Sequence, residues 1–239
     1  MRRREHKMQE YFYFNDESCE DYDVIIAGNP DIEIPEDDTD EITIPGRDGS
    51  LFVSNGRKEP ITISLECDFI SDSKDEWWEA FREVKSWLTG SGTLQFDDDG
   101  DYFYNVLQCT ASGHKRQHWK LGTFTVKFTC MPYMYLSSGL AEYDYTEVLT
   151  NQYDVCHPTY NITGVGSCTL TVNGNAMTAW VTSNLTIDTE RMIAYTDDGE
   201  VSNTAISGNY DELYLESGTN TITITSGFTL TVIPNWRCL

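Results

Sequence analysis

Apolar residues alternate with threonine along the last third of this chain, and that period constrains the fold more than any other feature. The runs are Leu185-Thr-Ile-Asp-Thr-Glu190, Leu213-Tyr-Leu-Glu-Ser-Gly-Thr-Asn-Thr-Ile-Thr-Ile224 and Phe228-Thr-Leu-Thr-Val-Ile-Pro-Asn-Trp-Arg-Cys-Leu239. Side chains that switch face at every residue belong to strands, so these segments read as short antiparallel strands, buried on one face and wet on the other. Gly, Asn and Asp between them supply turns. Further strands are expected at 159–162, 168–172, 192–195 and 210–215, and the final Trp236-Arg-Cys-Leu239 as a packed strand. No helical period interrupts this region. Seven or more short strands in about a hundred residues make a β-sandwich or jelly roll.

The first half is built differently. Strands are expected at Tyr11-Phe-Tyr-Phe14, at Val24-Ile-Ile-Ala27 before the stop Gly28-Asn-Pro30, at Ile61-Thr-Ile-Ser-Leu-Glu-Cys67, and at 102–109 and 119–130 around a polar turn at 112–118. Between them Ser73-Lys-Asp-Glu76 has the form of a capping box, with the serine accepting from the third amide and the glutamate reaching back. Trp77, Phe81, Val84 and Leu88 then fall on one helical face, which Trp78 and Trp87 widen, and Gly90 suits the left-handed closing position. About four turns of amphipathic helix must lie on a sheet. Three tryptophans could make a sugar or cofactor platform, but core packing is the commoner use of such a stripe. The period is lost over 136–150, which divides an α+β domain at 1–136 from an all-β domain at 137–239.

One segment of the first half stands apart. Seven of the eleven residues from Asp31 to Glu41 are acidic, and Ile32, Ile34, Ile42 and Ile44 flank the acidic centre at even spacing. This pattern suggests a long hairpin arm with Glu36, Asp37, Asp38 and Asp40 at its tip, kept off a central sheet position by Pro35 and Pro45; a disordered acidic loop is the alternative. Gly46-Arg47-Asp48-Gly49 follows as a turn whose two glycines permit positive φ at both ends.

Charge narrows the functional classes. The formal net charge is −23; residues 137–239 hold 12 acidic and 2 basic residues, leaving 27 and 14 before them, so both halves are acidic. A basic nucleic-acid footprint is absent, and specific nucleic-acid binding is not expected. No apolar run approaches the roughly 20 residues of a membrane span, and the basic Met1-Arg-Arg-Arg-Glu-His-Lys-Met8 leads into no apolar signal core. Its plainest readings are an arm or a leader before Met8. The seven cysteines are scattered without a C-x-x-C pair, which points to buried thiols rather than disulfides or zinc.

Catalytic and metal chemistry find little support. His114 and His118 are four apart in a turn rather than on a helix, and Asp97-Asp-Asp-Gly-Asp101 lacks the alternating ligands and distal glutamate of a calcium loop. Both read as surface turns. No nucleophile elbow, phosphate loop, dinucleotide fingerprint or H-E-x-x-H occurs. Acidic pairs for glycoside hydrolysis are plentiful but unspecific. The expectation is no enzyme, no catalytic residue, no metal and no cofactor.

Several short segments, in this order, resemble the distal tail proteins (Dit) of long-tailed bacteriophages. They are Phe12-Tyr-Phe-Asn15, Pro45-Gly-Arg-Asp-Gly49, the capped helix ending in Trp87-Leu88, Leu94-Gln-Phe-Asp97 with Tyr102-Phe-Tyr104, Ile187-Asp-Thr-Glu190, Leu215-Glu-Ser-Gly-Thr-Asn-Thr-Ile222 and Pro234-Asn-Trp-Arg237. The resemblance implies an α+β ring-forming domain followed by a galectin-like sandwich, and a homo-hexameric ring at the distal end of the tail in the virion, assembled in the host cytoplasm. Implied partners are the tail tube protein, the tail-tip hub or tail-associated lysin, the tape measure protein, and receptor-binding or baseplate proteins, with DNA passing through the channel. Ile32, Ile34, Ile42 and Ile44 then become candidates for an inter-subunit arm, since an exposed hairpin edge suits strand pairing. The competing class is a lectin-like adhesion module gripping a glycan through Trp180 or Tyr195.

Overall fold

The computed structural model describes residues 11–71, 73–113, 115–116 and 120–239. The basic segment 1–8, His114, His118 and Trp119 lie outside them. Among the described residues the chain is mostly β with a single α-helix, and its strands pair antiparallel. The chain divides into two compact units, Met1–Met134 with Leu239 and Tyr135–Cys238.

In the first unit the strands are β1 (Phe12–Phe14), β2 (Glu17–Ser18), β3 (Val24–Ile26), β4 (Asp31–Ile32), β5 (Asp37–Thr43), β6 (Ser50–Lys58), β7 (Ile61–Ile70), β8 (Gly90–Phe96), β9 (Tyr102–Ala111), β10 (Lys115–Arg116) and β11 (Leu121–Leu136). The main sheet runs β2-β1-β8-β9-β11-β7-β3, with β4 also on β7 and β10 on β11. Its backbone is the ten-residue ladder from Leu121–Ile70 to Cys130–Ile61, in which Ile61, Ile63, Leu65, Cys67 and Phe69 all turn inward. The strict alternation of β7 is why that strand is legible from sequence.

The helix α1 (Trp77–Trp87) covers that inward face. It is eleven residues long rather than the four turns expected, because Leu88 leaves the helical region and Gly90, at φ +87°, already begins β8. The Ser73 hydroxyl accepts from the Glu76 amide as the capping box requires, but at the head of a turn that precedes the helix proper. Trp77, Val84, Trp87 and Leu88 are buried, whereas Trp78 is 52% exposed and does not widen the core stripe. The Trp87 ring stacks on Phe12 at 5.4 Å and on Tyr22 at 4.5 Å, and its indole N–H donates to the Phe14 carbonyl at 3.2 Å. Such aromatic pairs add to the area they bury.

The second unit contains β12 (Tyr143–Asp144), β13 (Thr150–Asn151), β14 (Thr159–Thr163), β15 (Gly166–Val172), β16 (Asn175–Val181), β17 (Asn184–Asp188), β18 (Ile193–Tyr195), β19 (Ile206–Ser207), β20 (Gly218–Thr219), β21 (Ile222–Ile224), β22 (Thr229–Ile233) and β23 (Arg237–Cys238). One sheet runs β12-β22-β14-β17-β18 and another β19-β16-β15-β21. Tyr160, Ile187 and Val232 of the first share one core with Leu170, Met177 and Val181 of the second. The strand expected at 210–215 is instead a 3-10 turn over Tyr210–Leu213, with only Leu215 bridging to Cys156. The strand β16, by contrast, is not marked by the sequence pattern. The terminal segment does form a strand, β23, beside the last residues of β11, which belong to this second unit: the Leu136 N–H donates to the Trp236 carbonyl at 2.9 Å.

None of the seven cysteines is in a disulfide, and all except Cys238 are buried. Burial pushes the Cys109 and Cys130 thiols up to about 12, so these groups stay protonated and pack as small apolar side chains.

Candidate functional site

The strands β5 and β6 form a two-stranded ribbon outside the main sheet. Its register pairs Thr43 with Ser50, Ile42 with Leu51, Glu41 with Phe52, Asp40 with Val53 and Thr39 with Ser54. Directly opposed residues share a face, so Ile42, Leu51 and Val53 lie on one side of the ribbon and Phe52 on the other. All four are substantially exposed, Phe52 at 64%. A lone hairpin is marginal by itself, and one that exposes this much apolar surface suits packing against another chain.

The structure moves the acidic residues of this arm. The sequence pattern places Glu36, Asp37, Asp38 and Asp40 at the tip; instead the tip is the turn from Ile44 to Gly49, and Glu36, Asp37 and Asp38 stand at the base. The reason is the pairing partner. Residues 37–43 pair with 50–58 rather than with 31–34, so the base carboxylates meet cations: Lys58 Nζ lies 2.8 Å from Asp37, and Arg57 Nε donates to Asp38. Ile42 belongs to the ribbon and Ile44 to its turn. Ile32 does not join them; it pairs with Ile63 of β7, and Ile34, 86% exposed, lies between β4 and β5. Gly46 at φ +81° and Gly49 at φ +77° bracket Arg47 and Asp48 in the left-handed conformation that a side chain resists. Leu51, Phe52 and Val53 carry no signal in the sequence because their partners lie across a turn.

Beside the arm's base, Glu33, Ile34, Glu36, Glu59, Pro60 and Ile61 line an open groove of about 520 Å³. Three of these six side chains are carboxylates and none is a cation. One oxygen of Glu33 accepts from the Thr62 amide at 2.8 Å.

In the second unit the segments that carry the family resemblance prove to be structural. Asn220, buried, accepts from the Glu216 amide and donates back to the Glu216 carbonyl, both at 2.9 Å, closing the 216–220 turn. Thr189 donates to the Pro158 carbonyl at 2.7 Å, and Glu190 accepts from the Tyr135 hydroxyl at 3.1 Å. Arg237, 7% exposed, donates through Nε to the Val155 carbonyl and through Nη2 to His157 Nε2 at 3.0 Å. The His157 ring stacks on Tyr214 at 3.9 Å. Burial first, and the facing guanidinium second, lower the His157 pKa to about 4, so the ring is neutral near pH 7.

Trp180 is 61% exposed on β16, opposite Ser167 of β15. Thr178, Thr169, Thr171 and Thr223 share that outer face by register, and no charged residue does. Tyr195 is half-buried. Among the described residues no group of His, Cys, Asp or Glu is arranged to hold a metal, and no helix is long and apolar enough to cross a membrane. The Asp97–Asp99 segment is a 3-10 turn joining β8 to β9, as the sequence suggests.

Residues 18–130 match the model of the phage tail protein RIFT-related domain. Among solved structures the chain is similar to the Dit protein (gp 19.1) of phage SPP1, described as a paradigm of the hub adsorption apparatus in phages that infect Gram-positive bacteria. The TM-score is 0.66 at 14% identity, over 96% of this chain and 99% of that one. No curated protein sequence matches. The ribbon, the helix-covered sheet and the motif-bearing turns thus sit in a known frame: residues 18–130 match the phage tail protein RIFT-related domain model, and the chain shares the fold of that distal tail protein.

Proposed function

We propose that this protein is a structural component of a siphophage tail tip that assembles as a hexameric ring. In this reading the first unit is the α+β ring-forming domain around a channel, and the second is a galectin-like sandwich that docks receptor-binding or baseplate proteins. The tail tube protein would lie on one side of the ring and the tip hub or tail-associated lysin on the other, with the tape measure protein in the lumen. The virion, at the distal end of the tail, is the matching location. The carrying observation is the β5–β6 ribbon, which projects exposed Ile42, Leu51, Phe52 and Val53 from the domain that matches the tail family. Exposed apolar surface on a hairpin is stabilised when a neighbouring subunit covers it.

Light scattering over a concentration series tests the ring. Six copies of the 27.2 kDa chain give about 163 kDa. A sixfold mass that disappears when residues 40–53 are replaced by a tight Asn-Gly turn supports the arm as the subunit link. A sixfold mass that survives the replacement removes the arm from the interface.

The exposed Trp180 on an uncharged, threonine-lined face favours a second reading, a lectin-like module for a neutral glycan. A glycan array with selective binding that Trp180→Ala abolishes would support it. Absence of any binding by the assembled protein leaves the structural role alone.

A further inference from the structure

We infer that the tip of the β5–β6 ribbon seats in the acidic groove at the ribbon base of a second copy of this chain, with Arg47 against the groove's glutamates. The inference rests on the ring reading above and names the surfaces that would join one subunit to the next. Between Asp37 and Gly56 the only cation is Arg47, and it stands exposed at the turn. Beside it Ile44 and the Ile42–Leu51 pair give the tip an apolar flank. The groove offers the complement. It presents the carboxylates of Glu33, Glu36 and Glu59 around Ile34, which is 86% exposed, and Pro60. An isoleucine with that exposure is the largest apolar deficit on the described surface of the first unit, and the glutamates beside it have no lysine or arginine lining the same groove.

The occupant cannot be the same molecule's own tip. Seven strand residues, Asp37–Thr43, separate the base from the turn, which at about 3.4 Å each is roughly 24 Å of extended ribbon. Tip and groove are therefore two different, complementary patches on one chain, the arrangement that head-to-tail contacts need to close a ring. A self-complementary patch would instead give a dimer.

The test is zero-length carbodiimide coupling in the full chain carrying Arg47→Lys, which keeps the charge and supplies a reactive amine. Isotopically light and heavy protein are mixed by dilution and reconcentration, coupled and digested, with the solution mass followed alongside. The expected product is a light–heavy peptide pair joining residue 47 to Glu33, Glu36 or Glu59, with most of it lost in Arg47→Lys combined with Glu36→Gln and Glu59→Gln. A sixfold mass without that pair overturns the inference and leaves the ring standing. Pairs found only within one isotope overturn it as well, since they would mean the ribbon folds back on its own base. A monomeric mass without the pair sinks this contact and deprives the self-assembling ring of support in solution.

Discussion

Asp38 and Arg57 meet across an interruption in the β5–β6 ladder, the guanidinium Nε donating to the carboxylate. Between the pairs Asp37–Lys58 and Thr39–Ser54 one strand advances two residues and the other four. The surplus forms a bulge in which Gly56 adopts φ +75°, and Asn55 also donates to Asp38, at 3.3 Å. Bulges bend and twist a ribbon, so this carboxylate fixes the direction in which the arm leaves its base. Asp38→Asn keeps the shape and removes the charge. Hydrogen exchange should then show the amides of β5 and β6 losing protection while those of β7 keep theirs. Equal loss in β7 would mean that the clamp supports the whole unit and not the arm.

The same clamp makes the arm sensitive to acid. Hydrogen bonds from Arg57 and Asn55 hold the Asp38 carboxyl below the usual carboxylate range. A carboxylate lowered on folding contributes order that is fully present above its unfolded value, about 3.9, and is lost as pH falls through the folded one. Protection of the ribbon amides should stay flat above about pH 5 and fall below pH 4, and the fall should vanish in Asp38→Asn.

In the second unit His157 works with the opposite partner. Its Nε2 accepts from Arg237, which a protonated ring cannot do, and burial already disfavours the charge. The folded value near 4 lies below the unfolded value near 6.5, so stability is complete above pH 6.5 and declines as pH drops toward 4. The full window is worth at most ~3 kcal/mol, and less to the extent that solvent reaches the partly exposed ring. Urea unfolding of His157→Gln should show a shallower slope between those pH values than the parent chain. An unchanged slope would assign the acid loss to carboxylates alone.

Asn220 gives a prediction about the family-like segments. Its side chain closes the 216–220 turn on itself and accepts a further hydrogen bond from Asn173 at 2.7 Å. Asn220→Ala removes several bonds at a buried site and should cost about 2–4 kcal/mol in urea unfolding. Asn220→Asp keeps the acceptors and loses the donors, so it should lie between. A neutral alanine would mean that water replaces the amide and that the segment matters for contact with a partner rather than for folding.

Legibility in the sequence follows the range of the interaction. The inward residues of β7 alternate without a break, and the glycines around Arg47 and Asp48 mark a turn that the φ angles confirm. The strand β6 is hidden because Asn55-Gly56 looks like a hairpin turn; here it is the bulge around Asp38, a residue 17 positions away. The strand β16 is hidden because small Ala179 stands where an alternating pattern needs a large apolar side chain. Spacing alone assigns Trp78 to the core, although the helix is too short and one-sided to bury it. The Arg237–His157 contact spans 80 residues, and no local spacing announces it.

The last prediction concerns Gly122 and Phe69, directly opposed on β11 and β7. A Cβ on Gly122 would lie 2.1 Å from Cε1 and 2.5 Å from Cζ of the Phe69 ring, so the ring occupies the space a side chain would need. That ring is fully buried and packs 5.2 Å from Trp77 and 5.9 Å from Phe81, which leaves it nowhere to turn. Gly122 does not need a left-handed backbone. With free space, alanine would therefore stabilise the strand by roughly 0.4–1 kcal/mol through the unfolded state. Overpacking predicts the opposite sign, a loss of about 1–3 kcal/mol in urea unfolding of Gly122→Ala. Phe69→Leu supplies the control, since a smaller side chain vacates the ring's position. The double variant should lose less than the sum of the two single changes, because the clash disappears with the ring. Additive losses would show that the glycine is required for its backbone and not for the aromatic ring lying over it.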